Sequence, residues 1–79
     1  MWFTDYYIDY AKKFIDHTYD QRKVVLSDPK LTKFQIEGIK NSTVAYCTGY
    51  VVALRNFNIL SESAENLLLD YISKRKDEV

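Results

Sequence analysis

The stretch KFQIEGIKNSTVAYCTGYVVALRNF, residues 33–57, decides the fold. Set on a helix at about 100° per residue, it carries two stripes. The bulky one is Ile36, Ile39, Thr43, Tyr46, Tyr50, Leu54 and Phe57, spaced 3, 4, 3, 4, 4 and 3. Such a seam is what a packed neighbour requires. Beside it run Gly38, Ser42, Ala45, Gly49 and Ala53, spaced 4, 3, 4 and 4, all small. Each glycine inside a helix costs about 0.5–1 kcal/mol relative to alanine. Two such costs on one face imply that something approaches the backbone there.

Phe34, Val44, Val51 and Val52 lie outside both stripes, so this helix is apolar over most of its circumference and needs neighbours on most sides. One long and one short partner helix do not cover it. The expected remedy is a homodimer with Gly38, Ser42, Ala45, Gly49 and Ala53 as the self-interface. In a monomer that covers itself, the helix breaks near the weak helix formers Asn41-Ser42-Thr43, or the third helix packs on Gly49 and Ala53.

Working outward, Thr32-Lys33-Phe34-Gln35 reads as a capping box, and Asn58 can take the left-handed position that ends the helix. Upstream, SDPK (27–30) separates this helix from the previous one, because Pro29 cannot continue a helix interior and pushes Asp28 out of the α region. The previous helix spans about 5–26, capped by Thr4, with Asp5 and Asp9 at the positive end of its dipole. Phe3, Tyr7, Tyr10, Ala11, Phe14, Thr18 and Val25 form its expected core face. Downstream, Ser61 caps a third helix, about 62–76, whose apolar face is Ala64, Leu67, Leu68, Tyr71 and Ile72. The expected fold is all-α, one domain over 1–79. Its three helices (about 5–26, 33–57 and 62–76) form an antiparallel three-helix bundle, or a long helical hairpin plus a short third helix.

The chain has 79 residues, 47% hydrophobic and 28% charged, with zero net charge and a single cysteine. These values favour neither a disordered class nor a generally nucleic-acid-seeking one, and the single cysteine rules out an intrachain disulfide framework. No apolar run reaches membrane-spanning length, and Asp5 and Asp9 interrupt the N-terminal apolar residues as no signal peptide would. A cytoplasmic protein is expected, without membrane contact.

Chemistry is sparse. Cys47 has no His or Lys within a helical turn to activate it, so it reads as a small buried hydrophobe. His17 stands alone beside Asp16 and Asp20, short of the three or four ligands a zinc site uses. Gly38 and Gly49 sit in no phosphate loop. No catalytic residue, metal or cofactor is expected, and the chain is read as a non-enzyme.

Charge is uneven along the chain. Residues 1–21 carry net −2, residues 22–40 net +3 and residues 41–79 net −1. In an antiparallel bundle Arg22, Lys23, Lys30 and Lys33 gather with Lys74, Arg75 and Lys76 at one end. That end is a candidate anion or nucleic-acid contact, although helix-dipole complementarity alone places bases there too. Of the aromatics in MWFTDYYIDY (1–10), Phe3, Tyr7 and Tyr10 go to the core. Trp2 and Tyr6, together with Tyr19 further along, remain as candidate partner-binding residues.

In composition and size the chain resembles short accessory proteins of phages and mobile elements in low-GC bacteria: small, helical, rich in Tyr, Lys, Asn and Ile, and without evident chemistry. The resemblance is one of style and carries over no residue. It implies a protein-protein interaction module that binds and blocks a host enzyme or defence complex. The competing expectation is a small nucleic-acid-binding regulator using the basic end.

Overall fold

The structure, a computed structural model, describes the backbone of residues 2–78 and the side chains of residues 6–78. Three helices form, α1 (Trp2–Leu26), α2 (Lys33–Asn56) and α3 (Glu62–Glu78), each packed against the other two. Among the described residues there is no strand.

The helix ends follow local chemistry. Thr32 and Gln35 close the capping box reciprocally: the Gln35 amide donates to Thr32 Oγ1 at 3.1 Å, and the Thr32 amide to Gln35 Oε1 at 2.8 Å. The end of α2 is a Schellman motif. Asn58 adopts φ 61°, its amide donates to the Arg55 carbonyl at 3.0 Å, and the Ile59 amide reaches back to Leu54 at 2.9 Å. Ser61 Oγ accepts from the Ala64 amide at 3.1 Å and starts α3. Between α1 and α2, Asp28 Oδ1 accepts from the Lys30 amide at 2.9 Å, a local turn bond typical of Asp. The start of α1 differs from expectation. The helix begins at Trp2, so Thr4 lies inside it rather than capping it.

α2 runs unbroken through Asn41-Ser42-Thr43. Thr43 Oγ1 donates to the Ile39 carbonyl at 2.7 Å and Ser42 Oγ to the same carbonyl at 3.0 Å. The hydroxyls bond within the helix instead of competing with it. Thr18 does likewise to Phe14 at 2.9 Å, which is how two buried threonines are accommodated.

Phe14 of α1 stacks on Tyr50 of α2, and Thr18 meets Cys47 one turn on, so the two helices run antiparallel. On the other side Tyr71 meets Asp16, and Arg75 meets Asp20, so α3 ascends beside α1. The result is a rod of 46 × 17 × 17 Å. Its core is a file of Ala11, Ile15, Tyr19, Cys47, Val51, Leu60, Ala64, Leu68 and Ile72.

Two faces are turned from their expected positions. On α1 the buried line is Ala11, Ile15, Thr18 and Tyr19, while Tyr10 and Val25 are exposed. That is a rotation of about 70° about the helix axis. α1 has two neighbours, so its buried centre bisects them, and the bulky Phe14 moves to the edge of the seam with α2. On α2 the buried line is Thr43, Cys47 and Val51. Tyr50 and Leu54 pack half-buried beside it, and Tyr46 and Phe57 are exposed.

Candidate interaction surface

The rotation of α1 brings a row of aromatics to the surface. Tyr6 and Tyr10 are exposed one turn apart, with ring centroids 6.3 Å from each other. Tyr7, half-buried, meets Tyr6 edge-on at 5.1 Å and holds it from below. A turn further on, Phe14 stacks on Tyr50 at 3.9 Å and lies 5.7 Å from the exposed Tyr46. Tyr10, Lys13, Phe14 and His17 enclose an open recess of about 260 Å³. The surface is thus aromatic at its floor, with one lysine and one histidine at its rim. It is carried on a 25-residue helix instead of a loop.

Of the three expected partner-binding residues, Tyr6 belongs to this surface. The side chain of Trp2 lies outside the described residues. Tyr19 does not belong to it. It is 1% exposed, with its ring in the core under the Arg75 guanidinium and its hydroxyl without a partner among the described residues. A phase set by the aromatics placed Tyr19 on a flank; the face set by two neighbouring helices places it inside. Tyr10, by contrast, was expected in the core and is part of the surface.

The small stripe Gly38, Ser42, Ala45, Gly49 and Ala53 lies exposed on the outer face of α2. A Cβ added at Gly38 or Gly49 would meet nothing within 4 Å. α3 therefore does not pack on Gly49 and Ala53; it packs along the buried line of Cys47 and Val51.

The basic end is not a free patch of seven cations. Arg75 is 15% exposed and committed to three carboxylates: Asp20 at 3.0 Å, Glu78 at 3.0 Å and Asp16 at 3.5 Å. Burial works against its charge, but the hydrogen bond it donates to Asp20 and the surrounding carboxylates more than offset this and raise its pKa. Lys74 pairs with Asp70 at 3.3 Å. Arg22, Lys23, Lys30, Lys33 and Lys76 form no ion pair among the described residues.

Cys47 is fully buried, and burial pushes its thiol up from the ordinary value, against a hydrogen bond with Thr18 and the charge of Arg22. A raised pKa means less thiolate, which is the reactive form. Among the described residues no group of three or more His, Cys, Asp or Glu side chains could hold a metal ion. Among the described residues no helix is long and apolar enough to cross a membrane. Comparison of the chain with protein-family models, with curated proteins and with solved structures gives no match.

Proposed function

We propose that this chain is a non-catalytic, cytosolic protein-binding module that docks its partner on the tyrosine face of α1. One observation carries the reading: Tyr6 and Tyr10 are exposed side by side, and Tyr10 lines a recess together with Lys13, Phe14 and His17. Tyrosine anchors with an adjoining pocket are the usual source of binding energy at protein interfaces. Tyr7 braces Tyr6 and Tyr50 stacks on Phe14 in the recess, which reduces the ordering cost of binding. The composition shared with short phage and mobile-element proteins supports a more concrete form, an inhibitor that occludes a host enzyme or defence complex.

The test is site-specific photocrosslinking in cells of the native host. A photoreactive residue at Tyr10 is expected to give a discrete protein adduct, and one at Ser73 on α3 to give none. Tyr6→Ala with Tyr10→Ala should weaken the captured complex at least about tenfold, since each anchor is worth more than about 1 kcal/mol. The thermal melt should not move, because both rings are exposed. Equal labelling from the two positions, or none from Tyr10, rejects the reading.

A further inference from the structure

We infer that the outer face of α2 is the contact through which two copies of this chain pair, antiparallel, about a two-fold axis passing between Ala45 and Tyr46. Four observations lead there. Residues 41–54, NSTVAYCTGYVVAL, contain no charged residue and no histidine in a chain that is 28% charged. The inner half of that segment is buried in the core, so the monomer accounts for its lack of charge. The outer half is exposed and equally uncharged, and nothing in the monomer accounts for that. Nor does the monomer use the glycines, since the space beside Gly38 and Gly49 is empty.

The third observation is area. Phe34 and Tyr46 are 87% and 55% exposed on this helix, and Phe57, at its C-cap, is 77% exposed. Three aromatics of about 150–250 Å² each then offer about 400 Å². The exposed backbone of the small stripe, with Asn41 and Asn56, adds a similar amount. The total approaches the roughly 800 Å² per partner that a stable interface buries.

The fourth observation selects the occupant. The face reads the same in both directions. When α2 is laid antiparallel on a copy of itself about that axis, Ala45 faces Tyr46, Ser42 faces Gly49, Gly38 faces Ala53 and Phe34 faces Phe57. Small meets small along the middle, the Tyr46 ring lies over the room left by Ala45, and the exposed phenylalanines meet at both ends. A two-fold contact requires such self-complementarity; an unrelated partner does not. The pairing takes up Tyr46, which adjoins Phe14, but leaves Tyr6 and Tyr10 on the neighbouring helix, so loss of the pairing and loss of the partner contact are read by different variants.

The test combines mass and cross-linking. Sedimentation of the full chain is expected to give twice its 9.3 kDa at concentrations up to about 100 µM. Gly49→Leu should raise the dimer dissociation constant at least tenfold while leaving the dilute chain helical. Mild oxidation of mixed Ser42→Cys and Gly49→Cys chains should link them to each other far more than either links to itself, and Ala45→Cys should link to itself. The buried Cys47 supplies little background, and this linkage does not depend on Gly49→Leu folding. A monomer throughout that range overturns the inference. So does a dimer that Gly49→Leu leaves intact and that yields no Ser42–Gly49 linkage.

Discussion

Tyr71 shows how one hydroxyl ties two helices together. Its proton is donated to Asp16 Oδ1 at 2.6 Å, across the α1–α3 seam, and Lys12 lies over its ring at 5.3 Å. The hydrogen bond to Asp16, burial and the Asp16 charge all raise the Tyr71 pKa, against the pull of Arg75. Burial raises Tyr19 and Tyr50 as well. A tyrosine whose folded pKa exceeds its unfolded value binds its proton more tightly when folded. Its contribution is fully present below the unfolded value, about 10, and is lost as pH rises through the higher folded value. The urea midpoint is therefore expected to fall as pH rises above about 10. Tyr71→Phe keeps the ring but removes the donor. It should cost about 0.5–1.5 kcal/mol at neutral pH, and its midpoint should fall less steeply in alkali than that of the parent. An unchanged alkaline slope would remove the Tyr71–Asp16 bond from the account.

At the scale of the element, α2 carries two glycines that the monomer does not need. Gly38→Ala and Gly49→Ala each remove a helix-propensity cost of about 0.5–1 kcal/mol, and the added methyl meets nothing. In dilute solution both are expected to raise the denaturation midpoint, as chemical unfolding followed by circular dichroism would show; a lowered midpoint would mean that the helix packs closely there within one chain. Helix positions in this protein are legible because they rest on local chemistry: Thr32, Gln35, Asn58 and Ser61 act within a few residues of themselves. Faces are less legible. Tyr10 and Tyr19 lie about 180° apart on α1, and helical phase alone puts Tyr10 inside, yet Tyr10 is exposed and Tyr19 buried. Which of them turns inward depends on where two neighbours cross α1, and that is set by contacts distant in sequence, such as Arg75 with Asp20 and Phe14 with Tyr50. The same holds for the candidate surface. Tyr6 is found from phase alone, whereas Tyr10 and its recess follow only once α1 is turned.

For the whole molecule, the governing fact is how little core the described residues form. The buried apolar side chains form a single file inside a rod 17 Å across, and a core of this size supplies only about 3–5 kcal/mol. Leu68 is fully buried at the middle of α3, between Ala64 and Ile72 on the same line. Truncating it leaves a cavity and costs about 2–5 kcal/mol, most of what the core provides. Leu68→Ala is therefore expected to abolish a cooperative thermal transition in dilute solution, whereas Leu67→Ala, at an exposed position one residue away, should stay within about 0.5 kcal/mol of the parent. The concentration dependence adds a second reading. If two copies pair through α2, folding is linked to association, and the melting temperature of the parent rises with protein concentration. Leu68→Ala, which leaves the outer face of α2 untouched, should then recover part of its transition as concentration rises, and Leu68→Ala combined with Gly49→Leu should not. A transition in Leu68→Ala as cooperative as that of the parent when dilute would show that α3 does not hold the rod together.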